Sequence, residues 1–244
     1  MCSSDLPDGY TLCLPANAPI SLNPFVYSKM PYDPEKDLVP VIYLGNATSV
    51  ILVHSSGPGT LKELVALSRS RPQAIAWSTF GYGTISHLYM EWLNKEAGAA
   101  FNHVPYKGGF EALTAAVSNE VLATLNTVGF ARSLVAAGKL KALAVSGTTR
   151  SALMPDVPAF KELGYDLDYR SWWGIFAPAG TPVEAVRILN REMNTLLGDP
   201  RFQQVLAKET IEAVGGSPEE FATFLKADRI STQKLVRIAG VKLE

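Results

Sequence analysis

The sequence predicts an α/β fold, and three observations carry that prediction. From Ile75 to Val145 four apolar, strand-like runs alternate with segments whose apolar residues recur at helical spacing. Two of the strand-to-helix junctions are glycine-rich, Thr79-Phe80-Gly81-Tyr82-Gly83-Thr84 and Pro105-Tyr106-Lys107-Gly108-Gly109. Apolar residues fill 47% of the 244 positions, enough for one large core or two smaller ones.

Taken in order, Thr11 to Leu14 reads as a short strand ended by Pro15. Ala16-Asn17-Ala18-Pro19 is then the loop at its carboxyl end, the edge where open α/β sheets meet their ligands. Asn23 to Met30 reads as one or two helical turns, and three prolines between Pro31 and Pro40 mark a connecting loop. Val41 to Leu44 and Ser49 to Val53 read as strands separated by Gly45-Asn46-Ala47-Thr48. The second is apolar or β-branched nearly throughout, the pattern of a strand buried on both faces or crossing between lobes. Thr60 caps the next helix, which carries Leu61, Leu64, Val65 and Leu67, and Glu63 completes a capping box.

Ala74 to Ser78 is a strand, and from Ile85 through His87, Leu88, Met90, Trp92 and Leu93 the period is helical. A glycine-bearing turn that opens a helix leaves backbone N–H groups pointing outward with the positive end of the helix dipole behind them, which is an anion site in outline. The plain alternative is an ordinary strand-to-helix connection. It is not a dinucleotide fingerprint, since Ser86 stands where the third glycine belongs, and no Gly-Lys-Ser/Thr of a P-loop follows. Phe101 to Val104 is the next strand, followed by a helix carrying Leu113, Ala116 and Val117, and Val121 to Leu125 is a strand ending in Asn126 and Thr127. Arg132 to Ala137 is a short helix stopped by Gly138, and Leu140 to Ser146 is a strand. After an irregular stretch with a brief helix at Phe160 to Leu163, Trp172 to Ala177 forms a strand whose two tryptophans face opposite ways. Thr181 caps a helix opened by Pro182 and running to Leu197. Helices at Arg201 to Lys208 and Pro218 to Ile238, the latter capped by Ser217 with Glu220, flank a short strand at Ile211 to Val214.

Composition excludes several functions. A net charge of −1 gives no basic field for nucleic acid. No run approaches the roughly 18 apolar residues of a bilayer-spanning helix. His54, His87 and His103 form no short ligand array, Cys2 and Cys13 lack metal-ligand spacing, and no metal or cofactor is expected. A bridge between the two cysteines is one option they leave open. No serine stands in a G-x-S-x-G elbow, so a hydrolase lacks its nucleophile. The rivals to a binding function are a carboxylate-processing enzyme and a sensing or interaction module. Met1 to Leu6 has neither basic region nor apolar core and does not read as a secretory signal.

If the units from Ile75 to Val145 form one lobe, residues before about 54 and after about 174 form another, and the two crossings make a hinge. One continuous sheet is the alternative. Asp8-Gly9-Tyr10-Thr11-Leu12, Pro31-Tyr32-Asp33-Pro34 with Lys36-Asp37-Leu38, Ser78 to His87, His103 to Gly109, Gly138 to Ala144, Arg150 with Leu153 to Pro158, and Trp173 with Ala177 to Pro182 resemble the tripartite tricarboxylate transporter substrate-receptor family, also called Bug proteins. The resemblance covers the chain from Pro7 onward.

It implies a type 2 periplasmic-binding-protein fold with two α/β lobes joined by hinge strands. Residues 1–54 with 174–244 form the first lobe, and 55–173 the inserted second. It also implies a monomeric, non-catalytic receptor that captures a small organic mono- or dicarboxylate, aromatic or tricarboxylate acids included, in the cleft between the lobes for a two-component membrane permease. Family members carry a signal peptide, then a strand and a glycine-rich aspartate loop, ahead of the motif matched by Asp8 to Leu12. Their absence implies an incomplete first lobe and weakened ligand binding. Carried over, Ser78, Thr79, Gly81, Gly83 and Thr84 present N–H groups and hydroxyls to a ligand carboxylate. Tyr106, Gly108 and Gly109 match the next loop, and Asn17 and Ala18 the first-lobe edge. Phe80 and Asn126 complete the set. Lys107 is expected to be solvated or ion-paired, His87 to pack or bond within its helix, and Tyr82 to pack. Where the family has a Gly-Gln-Val-Asp turn, this chain has Asn119-Glu120-Val121-Leu122.

Overall fold

The computed structural model describes residues 6–167, 169–208 and 211–242. The pairing of Cys2 with Cys13 lies outside the described residues. The chain divides into two compact units. Unit 1 comprises Met1–Ala47, Ser171–Lys234 and Lys242–Glu244, and unit 2 comprises Thr48–Arg170 and Leu235–Val241. The boundaries read from sequence, 54 and 174, lie slightly further along the chain.

Unit 1 is built on a three-stranded antiparallel sheet of β1 (Leu38–Ala47), β7 (Ser171–Pro178) and β8 (Glu212–Ala213), in the order β7-β1-β8. Cys13 and Ala16 bridge to Phe176 and Trp173 on β7. The stretch from Pro31 to Pro40 is not all loop. It contains α2 (Pro34–Asp37), capped by the Asp33 carboxylate, which accepts the Glu35 N–H at 3.0 Å. β1 then begins at Leu38 and accommodates Pro40 because the register shifts between Pro40 and Ile42. Nor does Gly45 end the strand. A Cβ there would stand 2.4 Å from the Glu212 carbonyl oxygen, so the glycine admits β8 against β1. Trp172 and Trp173 do face opposite sides. Trp172 packs with Ile20, Phe176 and Phe221, and its indole N–H donates to Asp228 at 3.0 Å, whereas Trp173 lies against Ile42, Ile175 and Val186. α7 (Val183–Leu197) starts one residue later than expected: Pro182 is its N-cap, and the Thr181 hydroxyl donates to the Pro178 carbonyl at 2.8 Å. α8 (Pro200–Lys208) and α9 (Pro218–Ala239) follow.

Unit 2 is organised on a five-stranded sheet in the order β4-β3-β5-β2-β6, from β2 (Ser49–His54), β3 (Ile75–Thr79), β4 (Phe101–Pro105), β5 (Ala123–Thr127) and β6 (Leu140–Val145). β3 runs parallel to both β4 and β5, while β2 is antiparallel to β5 and β6. Flanked on both sides, β2 has Ser49 to Val53 buried without exception, as its continuous apolar run predicts. The predicted capping box of α3 (Leu61–Ser70) is formed, with Thr60 Oγ1 accepting from Glu63 N at 3.2 Å and Glu63 Oε2 accepting from Thr60 N at 3.1 Å. α4 (Ile85–Glu96), α5 (Gly109–Val117) and α6 (Val128–Ala136) follow β3, β4 and β5. One face of the sheet buries Val50, Leu52, Leu113, Val121, Val128 and Val145 together. Trp77 packs on Phe101 at 5.0 Å, and Tyr89 on Phe160 at 5.4 Å. Each side chain of this size contributes roughly 1.5–3 kcal/mol on burial. In the turn before β5, Asn119, at φ 59°, adopts the left-handed conformation that asparagine tolerates better than most residues.

Candidate functional site

Because β3, β4 and β5 are parallel neighbours, their carboxyl ends lie along one edge of the unit 2 sheet, with strands spaced by about 4.8 Å. Each delivers the start of a helix there. The N-cap residues of α4, α5 and α6 are Thr84, Gly108 and Thr127, and none makes a side-chain cap. The first N–H groups of a helix have no partner inside it, so three uncapped starts on one edge concentrate outward-pointing donors and positive dipole ends. Of the three first turns, only that of α5 carries an acid, Glu111. Its carboxylate opposes an anion at that start, which leaves the α4 and α6 starts, on adjacent strands, as the better seat.

The loop before α4 shows why its sequence needs glycine. Gly81 and Gly83 have φ of 115° and 69°, values that side chains with a Cβ rarely adopt. Thr84 Oγ1 donates to the Gly81 carbonyl at 2.8 Å, closing the turn onto the helix. The Gly83 N–H donates to His87 Nδ1 at 3.1 Å, and the Gly81 N–H to Thr79 Oγ1 at 3.3 Å. The hydroxyls expected to face a ligand are therefore used within the protein. Ser78 and Thr79 are fully buried. Ser78 donates to the Ala112 carbonyl at 2.9 Å, and Thr79 Oγ1 lies 2.6 Å from His103 Nε2. A hydroxyl has one proton to give, and the Gly81 and Gly83 amides expected to face a ligand are likewise bonded within the protein, so the donor role passes to the other backbone amides of the loop and the α4 start.

The second loop is bound to the first. Tyr106 N–H donates to the Thr79 carbonyl at 2.8 Å, and Phe80 lies over Gly109, its ring 3.7 Å from where a Cβ would stand. Asn126 holds the start of α5 to the end of β5. Its Nδ2 donates to the Gly109 carbonyl at 2.7 Å, and its Oδ1 accepts the Thr127 N–H at 2.9 Å. Its amide is engaged on both sides, so it positions the edge. The Tyr106 hydroxyl donates to Glu120 at 2.8 Å. Burial first, and the Glu120 carboxylate after it, push its pKa up to about 12, so it stays protonated. Lys107 is exposed, as expected of a solvated lysine. Asn17 and Ala18 lie in unit 1, where Asn17 is the N-cap of a five-residue π turn, Ala18–Leu22.

Three features escaped the sequence. α6 begins at Val128, directly after β5, rather than near Arg132. The third helix start was therefore unseen, and with it the place at that start of Thr127, whose Oγ1 is buried with no hydrogen-bond partner among the described residues. The adjacency of Asn126-Thr127 to Val128-Gly129 was the available signal. Secondly, Tyr82, Phe110 and Phe130 are exposed aromatics on the loop before α4 and the first turns of α5 and α6. Thirdly, His87 and His103 stack 4.1 Å apart beneath Tyr82, from residues that no short motif links.

Unit 1 has a cavity of about 220 Å³ floored by Ile20, Leu38, Phe176 and Leu225. Of its two rim cations, Arg229 pairs with Glu35 at 3.3 Å and covers Phe25, while Lys226 also lines the cavity. Among the described residues no group of three or more His, Cys, Asp or Glu is placed to hold a metal, and no helix is long and apolar enough to cross a membrane.

The sequence profile of the tripartite tricarboxylate transporter family receptors matches residues 1–241. The chain belongs to this family. A relative from Cupriavidus necator, the UPF0065 protein in gbd 5'region, is 32% identical over 237 residues, which are 97% of this receptor chain and 71% of the relative. Among solved structures, the R. palustris protein with adipate is 28% identical with a TM-score of 0.89, over 99% of this chain and 81% of that one. The periplasmic binding protein BugD is 27% identical with a TM-score of 0.87, over 100% and 82%. The fold is thus the type 2 periplasmic-binding-protein fold, and the family is one of periplasmic solute receptors rather than enzymes.

Proposed function

We propose that this receptor seats the carboxylate of a small organic acid on the backbone amides at the starts of α4 and α6, with Thr127 as the hydroxyl donor, and hands the acid to a two-component permease. The observation that carries this reading is the set of uncapped helix starts on one sheet edge. Hydrogen bonds to a charged partner contribute about 1.5–3 kcal/mol each. Three or four of them support the roughly −8 kcal/mol of micromolar capture once association costs are met. Neutral donors also suit a protein that must release what it holds.

The aromatic side chains of Tyr82, Phe110 and Phe130 on the same turns favour an acid with an apolar body over a small hydroxy acid. Adipate, which the R. palustris neighbour was solved with, has such a body. Calorimetry of the chain against adipate, benzoate and citrate tests the proposal. Saturable heat with adipate or benzoate exceeding that with citrate, and no turnover of the corresponding esters, is the expected result. Silence with all three acids together with ester turnover would overturn it.

A further inference from the structure

His87 is buried one turn into α4, and its Nδ1 accepts the Gly83 N–H at 3.1 Å. An imidazole nitrogen that accepts carries no proton, so the ring is neutral with its proton on Nε2. Nε2 lies 3.9 Å from Glu91 Oε1 on the same helix. From β4, His103 covers the ring face at 4.1 Å with an interplanar angle of 13°, and from the loop Tyr82 meets both imidazoles edge-on at 5.5 and 4.8 Å. His103 is tied by Nε2 to Thr79, whose Oγ1 also accepts the Gly81 N–H. Both glycines of the loop are therefore bonded to a threonine and histidine cluster beneath them.

We propose that His87 is a positioning residue of the anion site: its neutral ring fixes Gly83 and thereby the shape of the loop that offers amides to the ligand. This inference rests on the proposed carboxylate site. Protonation at Nδ1 would turn the acceptor into a donor and expel the Gly83 N–H, so the loop is held only while the ring is neutral. Burial, with the neighbouring His103 charge second, brings the His87 pKa down to about 4, and burial lowers His103 as well. Glu91, the acid on the same helix, is pushed up by burial, with Asn94 and Lys95 pulling it down. The ring thus stays neutral across the ordinary pH range, and the latch opens only in acid.

The test uses three variants of the full chain. In His87→Asn the side-chain Oδ1 takes the place of Nδ1 and can accept the Gly83 N–H. In His87→Gln the acceptor sits one carbon further out, and His87→Leu has none. Nitrogen-15 spectra of the wild type at pH 7 should show a His87 ring protonated on Nε2 alone and a Gly83 amide protected from exchange. Protection should survive in the Asn variant and be lost in the other two, in each case at a temperature where melting shows the fold intact. Adipate affinity should fall about tenfold in His87→Leu and His87→Gln and be largely restored in His87→Asn, whose affinity should decline less than the wild type's toward pH 4, where protonation of adipate itself weakens binding to every variant. A ring protonated on Nδ1 at pH 7, or a Gly83 amide equally protected in the Leu variant, would overturn the latch. If the wild type binds none of the acids, the carboxylate site fails, while the exchange measurements still decide whether His87 holds the loop.

Discussion

The two glycine-rich loops of unit 2 look alike in sequence and use their glycines for different physical ends. Before α4, Gly81 and Gly83 supply backbone angles of positive φ, and side chains from below hold their amides. Before α5, Gly108 is extended at φ −168° and Gly109 has no positive φ either; a Cβ at Gly109 would make only ordinary contacts, 3.4 Å from Asn126 and 3.7 Å from the Phe80 ring, so these glycines serve to keep the helix start bare. The first turn of α4 carries no acid, whereas Glu111 stands in that of α5. A glycine-rich junction therefore announces amides without saying which of them remain for a ligand. That depends on side chains several residues away.

Breaking the first loop should have the largest effect. Gly81→Val places a β-branched residue at φ 115°, a local strain of about 1–3 kcal/mol. Adipate binding should drop at least a hundredfold by calorimetry while the melting temperature moves only a few degrees. Gly109→Ala meets ordinary contacts and should reduce binding no more than about threefold. Equal losses in the two would erase the distinction between the loops.

Asn126→Ala removes the bond that ties Gly109 to the end of β5 together with the one to the Thr127 N–H, and should destabilise unit 2 by about 1–3 kcal/mol in denaturant titrations. In the first loop the tether is a histidine. The His87 pKa is depressed to about 4 in the fold and is near 6.5 in the unfolded chain, so the unfolded state binds more protons between those values. Its contribution to stability is complete above about pH 6.5 and is lost as pH falls toward 4. Melting between pH 7 and 4.5 should show this decline in the wild type and a shallower one in His87→Asn. Glu91 and Asp228, whose pKa values burial raises, work in the opposite direction and blunt the slope in both proteins. The smallest change is Glu111→Gln. Removing an acid from the α5 start should strengthen adipate binding about two- to threefold at low salt, fading by 0.5 M.

Most of unit 2 was legible because its signals are local. The Thr60–Glu63 capping box, the fully buried run of β2 and the glycine-rich turns each declare themselves within a few residues. Unit 1 was read less well because its irregularities are set by partners distant in sequence. Pro40 continues a strand because of a shifted register with β7, and Gly45 looks like a break until β8 is seen against it. Within the site, the amide-bearing loops were evident, but the assignment of protons was not. Whether Ser78 faces a ligand depends on the Ala112 carbonyl, and whether Gly83 is available depends on His87. The helix start at Val128 stayed hidden because no turn residues separate it from β5.

Amide shifts of the nitrogen-15-labelled chain during titration with adipate test most directly whether backbone donors at the α4 and α6 starts hold the carboxylate. The account predicts that the largest shifts fall on the amides of Thr84, Ile85 and Ser86 and of Gly129 and Phe130, with those of Gly109 and Phe110 clearly smaller. Saturable binding that leaves these helix starts unmoved, or that shifts the α5 start most, would contradict it.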